Sequence, residues 1–323
     1  MFSGKTIKIG SRSSQLATVQ AQIVAENITR IWPEISTEIV FYTTVGDKKR
    51  EDTNPSIRES RDWILEIEHG LLHGEIDLAV YPGRDVPCDI DDHTEIQPIL
   101  SRAEPNDALI ISHTKVPNIQ GLSDLPLGAT VAVPCLMSKI QLLRYRNDLN
   151  VVPFNGSIPT GIKKIKASDN KVCAMITGKA DMERLGLEDF ISDVLPIEQF
   201  PPMVNQGALV SQMRKGDSRV SKILRPLCSA AEKFCFNAER EAVLCMGASH
   251  SSPISVLCTN CGGDRYTIYG AVFFMNALSK IDQSISGNYT SPEVLGQQLA
   301  DKLLSKGVAD ILCPGKELLV GFS

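Results

Sequence analysis

The stretch Thr6–Ile31, TIKIGSRSSQLATVQAQIVAENITRI, contains a short strand, a polar turn and a helix in direct succession. The strand is predicted over Thr6–Gly10, and Ser13 or Ser14 can cap the helix that follows. That helix is predicted over Gln15–Ile31 because apolar residues recur at helical spacing. The apolar stripe consists of Leu16, Val19, Ile23 and Val24.

The next segments repeat this alternation of strands and helices. Glu38–Thr43 is predicted to be a strand, and Ile76–Tyr81 a fully buried strand. Between them a helix is predicted over Trp63–Leu72, ending near Gly74. The order β-α-β-α-β predicts a mainly parallel sheet and an α/β fold.

Polar loops follow the three strands. In parallel sheets ligands bind at the carboxyl ends of the strands, next to helix N-termini. The loops are Ser11–Ser14, Thr44–Lys48 and Pro82–Pro87, and they carry Arg12, Lys48, Arg84 and Asp85. The adjacent Arg84 and Asp85 form either an ordinary turn with a solvated ion pair or the mouth of an active site.

The rest of the chain divides into two further units. A second α/β block is predicted over 106–205, with strands at Thr130–Val133 and Lys171–Ile176 and a helix at Ser138–Arg146. Gln206–Val210 is predicted as a return strand. The third unit is predicted to contain a helix over Ala230–Met246, strands at Ile254–Cys258 and Tyr266–Phe274, and a final helix over Pro292–Ser305.

Length and charge exclude some classes of function. A chain of 323 residues is expected to form two or three domains. The net charge of −5 argues against nonspecific binding of nucleic acid, which needs a basic surface. No stretch approaches the roughly 20 apolar residues that span a bilayer, and the N-terminus lacks an apolar signal core. We therefore expect a cytoplasmic protein that does not associate with membranes.

The nine cysteines are scattered, which favours reduced thiols over a disulfide framework. Cys258 and Cys261 form a lone C-x-x-C pair. A structural zinc needs a second pair of ligands, and none lies at a suitable spacing. A reduced pair at a hairpin tip is therefore preferred over zinc, and no metal site is predicted.

Several short motifs occur in a colinear order that resembles one family along nearly the whole chain. They are IGSRSSQLATVQ, TVGDK, WILEIEHGLLHGEIDLAVYPGRDVP, RAEPNDALI, VNQGALV, KGD and NAEREAVL. Each is weak alone, but the ordered set resembles the porphobilinogen deaminase (hydroxymethylbilane synthase) family. The resemblance implies two periplasmic-binding-protein-like α/β lobes around a cleft and a small C-terminal α/β domain. It places lobe one at 1–105 and 206–229, lobe two at 106–205 and the C-terminal domain at 230–323.

The resemblance also implies a reaction. The family joins four porphobilinogen units head to tail with loss of ammonia, on the route to haem. A dipyrromethane cofactor primes the chain and is held by a cysteine thioether. The expected partner is thus a small anionic pyrrole, and the expected state is a monomer.

Candidate site residues follow from the matching motifs. Asp85 matches the catalytic aspartate, Arg12 a substrate- or cofactor-binding arginine, and Arg84 a position where the family has lysine. The other matching positions are Ser14, Thr44, Gly46, Asp47, Arg184, Gln206 and Gly207. The hydroxyl of Ser14 could equally cap its helix, and Gln206 and Gly207 could equally serve an interdomain hinge.

The sequence also departs from the family pattern. Four cleft arginines are replaced, at Met137, Ser138, Asn155 and Gly161, with Lys163 and Lys164 nearby but out of register. A mobile-loop lysine is replaced by Leu65, and the His-Ser before the catalytic loop by Tyr81 and Pro82. His250 stands where the family has its cofactor-attachment cysteine, and could equally be a solvated loop histidine. Cys245 lies five residues upstream and is expected to face elsewhere.

Two functions of different classes follow. The first is an active hydroxymethylbilane synthase with an altered cofactor attachment. The second is a catalytically inactive homologue that acts as an anion-binding or protein-interaction module. A solute-binding module of the broader fold is disfavoured because the C-terminal unit also resembles the deaminases. Since four cleft arginines and the attachment cysteine are replaced, we predict that the condensation of porphobilinogen is strongly impaired or lost.

Overall fold

A computed structural model describes residues 6–47, 64–88, 90–154, 156–167, 171–249 and 252–312. These residues form two five-stranded sheets and one three-stranded sheet. The first sheet contains β1 (Thr6–Arg12), β2 (Ser36–Tyr42), β3 (Leu78–Pro82), β4 (Thr94–Ile99) and β10 (Leu209–Arg214). The second contains β5 (Asp107–Ile111), β6 (Thr130–Val133), β7 (Asn150–Pro153), β8 (Val172–Gly178) and β9 (Asp193–Val194). The C-terminal sheet contains β11 (Ile254–Asn260), β12 (Arg265–Phe273) and β13 (Lys280–Asn288).

Helices connect the strands and pack against the sheets. They are α1 (Gln15–Ile31), α2 (Leu65–Leu72), α3 (Leu136–Tyr145), α4 (Ile158–Lys166), α5 (Lys179–Arg184), α6 (Ser218–Leu224), α7 (Ala230–Cys245), α8 (Pro292–Leu304) and α9 (Ala309–Leu312). A short 3-10 turn, Gly83–Asp85, follows β3.

Helix α1 begins as predicted. The Ser14 hydroxyl accepts a hydrogen bond from Ala17 N at 3.3 Å, which caps the helix. The buried stripe differs from the predicted one, since it consists of Ala17, Gln20, Ala21, Val24, Ala25 and Ile28. Leu16, Val19 and Ile23 are only half-buried. The small alanines face the sheet because they let the helix axis approach the strands closely.

The two large sheets share one topology. The first has the order β2-β1-β3-β10-β4, and β10 runs opposite to both of its neighbours. The second has the order β7-β6-β8-β5-β9, and β5 is the reversed strand. The expected α/β fold with two lobes is confirmed, with one correction to the sheet. Each sheet is mixed, because one reversed strand joins it directly after the chain has crossed from the other sheet.

The two crossing segments run side by side between the sheets. Gln206 Nε2 donates to Pro105 O at 2.6 Å, and Gln206 O accepts from Arg102 Nε at 2.7 Å. Ala103 N donates to Gly207 O at 3.3 Å. The sheets are therefore connected by a short hydrogen-bonded pair of segments, the arrangement of a hinge.

A buried carboxylate links this crossing to the C-terminal unit. Glu239, on α7, is fully buried. Its Oε1 accepts from Arg102 Nη1 and, at 2.8 Å, from Cys258 N. Its Oε2 accepts from Asn205 N at 2.7 Å and Asn205 Nδ2 at 3.1 Å. One side chain thus joins both crossing segments to strand β11.

The C-terminal sheet also contacts the second sheet's helix α3. An apolar cluster between them contains Met137, Ile140, Ala271, Phe273 and Ala277. Phe273 is fully buried there, so this contact excludes solvent from the faces of α3 and β12 that meet.

Several helices and strands have bounds that differ from those predicted. The helix predicted over Trp63–Leu72 is seen from Leu65, and Trp63 lies outside the described residues. The return strand begins at Leu209, because Gly207 has a positive φ of 86° that no strand residue adopts. Strand β13 was not predicted, since KIDQSISGN has only two apolar residues and lies at a sheet edge.

Within the described residues, no helix is long and apolar enough to cross a membrane. In the same part of the chain, no three His, Cys, Asp or Glu side chains are grouped so that they could hold a metal ion. Cys258 is buried in β11 and Cys261 is exposed in the following turn, both as free thiols.

Candidate active site

A cleft of about 350 Å³ lies between the first and second sheets. The first sheet contributes the ends of β1 and β3, and the second contributes the end of β8 and the starts of α3 and α4. Small-molecule sites span roughly 300–1,000 Å³, so this cleft is at the small end. Its titratable lining residues, among those described, are Arg12, Arg84, Asp85, Cys135 and Asp181. Two arginines are therefore matched by two aspartates.

Arg12 enters the cleft from the end of β1 and is held by Asp47. Arg12 Nε donates to Asp47 Oδ2 at 3.2 Å, and its Nη2 donates to Oδ1. Thr44 Oγ1 also donates to Asp47 Oδ2, at 2.8 Å. Burial alone would raise the pKa of Asp47, but the hydrogen bonds and charge of Arg12, with Thr44, outweigh burial and lower it. The structure thus brings the three predicted residues together: Arg12 and Asp47 form an ion pair, and Thr44 hydrogen-bonds Asp47.

Arg84 and Asp85 lie in the 3-10 turn after β3, at the cleft. Their direct contact is loose, with 3.5 Å between Arg84 Nε and Asp85 Oδ1. Arg84 instead reaches across to the second sheet, where its Nη2 donates to Asp181 Oδ2. Burial disfavours the charged guanidinium, but the carboxylates of Asp181 and Asp85 outweigh it and raise the pKa of Arg84. Asp85 is left 37% exposed, with its carboxylate available to the cleft.

Asp181 also belongs to this site, although the sequence motifs did not indicate it. It lies on α5 with its side chain 1% exposed. Arg184, one turn later, has its Nη1 3.7 Å from Asp181 Oδ1 and donates from Nη2 to Gly207 O at 2.6 Å. Burial lowers the pKa of Arg184, and the nearby Asp181 offsets part of that effect. The only hint in the sequence was the position of Asp181 three residues before Arg184, which was itself a predicted site residue.

Gln206 and Gly207 lie where the crossing segments meet the cleft. Gln206 lines the cleft and donates from Nε2 to Asp107 Oδ1 at 2.8 Å. Burial raises the pKa of Asp107 to about 6, although Gln206 and Arg84 act in the opposite direction. A Cβ on Gly207 would lie 2.3 Å from Ala103 O, so this position requires glycine. Gln206 therefore borders the cleft, and both residues also lie in the segment by which the chain crosses between the sheets.

Among the described residues, the positions that depart from the family pattern supply no cation to the cleft lining. Met137 is buried in the apolar cluster with Phe273, and Ser138 lines the cleft. Gly161 is buried, and a Cβ there would lie 2.7 Å from Phe154 Cζ. Lys163 and Lys164 are exposed on α4 and Leu65 is half exposed on α2. Lys48, Asn155 and His250 lie outside the described residues.

Cys135 is the cleft thiol among the described residues. Its Sγ caps α3 by accepting from Ser138 N at 3.5 Å, and it lies 3.7 Å from Met203 Sδ. Burial raises the pKa of Cys135, so it is a neutral thiol at neutral pH and a poor nucleophile. Cys245 is exposed on α7 and bonds Glu241, away from the cleft.

Comparison with known proteins agrees with this architecture. Residues 7–222 match the family model for porphobilinogen deaminase, dipyromethane cofactor binding domain. The porphobilinogen deaminase of Alkaliphilus metalliredigens is 32% identical over 308 residues, covering 95% of each chain. That of Geobacter metallireducens is 32% identical over 308 residues, covering 95% of this chain and 94% of its own.

Among solved structures, the methionine-binding protein MetQ is similar over 70% of this chain and 91% of its own, with 14% identity and a TM-score of 0.43. The BenM effector-binding domain with benzoate covers 70% and 91%, with 12% identity and a TM-score of 0.42. These likenesses are weak, and the fold description rests on the strand order. The family model and the deaminase sequences, in contrast, cover most of the chain, which therefore belongs to the porphobilinogen deaminase family.

Proposed function

We propose that this chain is a divergent hydroxymethylbilane synthase homologue in which the condensation of porphobilinogen is strongly impaired or lost. Its cleft binds one small pyrrole carboxylate. The observation that supports this most directly is the balance of charge in the described cleft lining, where Arg12 and Arg84 are matched by Asp85 and Asp181.

The family reaction requires many cationic side chains in the cleft. Each porphobilinogen carries two carboxylates, so a growing chain needs many guanidinium groups in bidentate pairs. Here Arg12 already bonds Asp47, and Arg84 already bonds Asp181. A ligand carboxylate must compete with these aspartates. Each charged hydrogen bond it fails to form is worth roughly 1.5–3 kcal/mol.

The described residues also do not fit a dipyrromethane cofactor held by a thioether. The thiol that lines the cleft, Cys135, is protonated and bonded at a helix start. The attachment position of the family is occupied by His250.

The residues that remain can bind and orient one small ligand. Arg12 lies beside the N-terminus of α1, where a carboxylate is favoured by the helix dipole. Asp85 is exposed enough to accept a hydrogen bond from a pyrrole N–H and to stabilise a cation next to the ring. This set positions a monopyrrole, and it lacks what a polymerising site needs to hold its product.

We further propose that the chain forms lobe one from 1–105 and 206–229, lobe two from 106–205 and a C-terminal domain from 230–323. Its support is that β10 returns to the first sheet after the whole second sheet has formed. The cleft then lies between two lobes that share a hinge.

Intact-protein mass spectrometry tests this function directly. The purified chain is expected to have the bare polypeptide mass and no Ehrlich-reactive pyrrole. Porphobilinogen consumption is expected to be far below that of a family deaminase assayed as a control. A mass increment equal to a dipyrromethane, with ordinary turnover, would refute the proposal.

A variant of the attachment position distinguishes the effect of the missing thiol from the effect of the missing cations. His250→Cys is expected to stay inactive, because a restored thiol still faces a charge-balanced cleft. Robust porphobilinogen consumption by this single variant would show that the thiol alone had been limiting. Binding of the monocarboxylate pyrrole-3-propionate, in the parent and the variant, would support the ligand-binding role.

A further inference from the structure

One buried carboxylate pairs with Arg84, a basic residue of the cleft lining, from the side away from the ligand. Asp181 lies on α5 of the second sheet and is almost fully buried, yet it lines the cleft. No ligand needs to touch it for it to act. Its effect is carried by the arginines that it holds.

The contacts of Asp181 span both sheets. Its Oδ2 accepts from Arg84, which comes from the turn after β3 of the first sheet. Its Oδ1 has no hydrogen-bond partner and faces Arg184 Nη1 at 3.7 Å. Space for the Arg84 side chain is made by Gly178, since a Cβ there would lie 2.8 Å from Arg84 Nη1.

The charge that Arg84 could offer to a ligand is therefore already used. Asp85 contacts the same guanidinium on its other side, and Asp107 lies close enough to act on its charge. A ligand carboxylate brought to Arg84 would approach a group surrounded by three carboxylates. Because the site is largely buried, this repulsion is weakly screened.

We propose that Asp181 is the specificity-determining residue of the cleft and that, through Arg84 and Arg184, it excludes ligands with a second carboxylate. This inference rests on the proposed function, since it specifies the ligand class of the same cleft. Asp181 is a positioning residue that sets the charge available to the ligand. Its removal leaves the Arg84 guanidinium, which lines the cleft, without its hydrogen-bonded carboxylate.

The test measures equilibrium binding by calorimetry with two probes. One is a pyrrole that carries an acetate and a propionate but no aminomethyl group, so it cannot be consumed. The other is pyrrole-3-propionate, with a single carboxylate. Asp181→Asn is expected to bind the dicarboxylate at least about tenfold more tightly, with a change of less than about threefold for the monocarboxylate. The gain should shrink as salt is raised from about 0.1 M to about 0.5 M.

A matched control and a second variant make the result decisive. Asp148 pairs with Arg146 at 2.7 Å on the surface outside the cleft, so Asp148→Asn should leave both affinities unchanged. Arg84→Gln in the parent chain leaves Asp181 without its ion-pair partner, so it should weaken dicarboxylate binding more than monocarboxylate binding. This variant remains informative if Asp181→Asn fails to fold.

Two results would overturn the inference. One is an unchanged or weaker dicarboxylate affinity in Asp181→Asn. The other is a loss of affinity in Arg84→Gln that is no larger for the dicarboxylate than for the monocarboxylate. Neither result depends on turnover, because the probes cannot condense. Ordinary porphobilinogen turnover by the parent chain would instead contradict the proposed function and leave the probe selectivity to be judged separately.

Discussion

Glu239→Gln is expected to destabilise the protein strongly, although it changes one atom of a side chain. Glu239 is fully buried and accepts four hydrogen bonds, two on each oxygen. A glutamine places an NH₂ group where one oxygen was. Whichever oxygen is replaced, two donors then face another donor instead of an acceptor.

The size of the effect follows from those contacts. Each buried donor left without a partner costs about 1–3 kcal/mol. Losing one member of a buried ion pair, here the partner of Arg102, costs about 3–5 kcal/mol. We therefore expect the free energy of unfolding to fall by about 3–5 kcal/mol. At roughly 2 °C per kcal/mol for a large domain, Tm should fall by roughly 6–10 °C.

Thermal unfolding followed by circular dichroism measures this change. Glu241→Gln is the matched control, since it makes the same substitution on the same helix at a half-buried residue that bonds the Cys245 thiol. That control should shift Tm by less than about 2 °C.

Hydrogen exchange gives a second, local measurement. The backbone N–H groups of Asn205 and Cys258 both donate to Glu239, so both should exchange faster in the variant. A Tm equal to that of the Glu241→Gln control, with unchanged exchange at these two amides, would refute the view that Glu239 joins the hinge to the C-terminal unit.

Two further predictions concern the hinge. Gly207→Ala should lower the free energy of unfolding by roughly 3 kcal/mol or more, because it adds a clash with Ala103 O to an unfavourable positive φ. Gly128→Ala, at a positive φ with open space, should cost only about 1–2 kcal/mol by urea denaturation, and equal costs would contradict this account. Asp107 has its pKa raised from 3.8 to about 6, so its stabilising contribution is present below pH 3.8 and lost as pH rises through 6. Asp107→Asn can keep the hydrogen bond from Gln206, so it should raise Tm at about pH 7.5 and flatten the pH dependence of Tm between about pH 4 and 6. A lower Tm than that of the parent at about pH 7.5 would contradict the raised pKa of Asp107.

Much of the local structure could be predicted from the sequence. Helix α1 has the predicted bounds of Gln15–Ile31, and β6 those of Thr130–Val133. These elements are specified by short-range signals, namely a serine cap, an apolar period and a run of β-branched residues. Strand β13 carries few such signals, since its stability comes from pairing with β12 at a sheet edge.

Part of the site could also be anticipated. Loops that follow parallel strands meet at one sheet edge, so Arg12 and Arg84 were expected together, and both line the cleft. Their partners could not be predicted in the same way. Asp181 is 97 residues from Arg84 in the chain, and its role exists only because the two sheets face each other.

The sequence by itself determined the family, the bounds of strongly patterned elements such as α1 and β6, and the positions at which the family's cations and attachment thiol are replaced. Those properties depend on residue identity and on neighbours along the chain. The tertiary structure alone decided that Arg84 is neutralised by Asp181, that Met137 is buried against Phe273, and that Glu239 joins three segments. The physical reason is that charge balance and burial depend on distances through space, which are set only when separate sheets pack together.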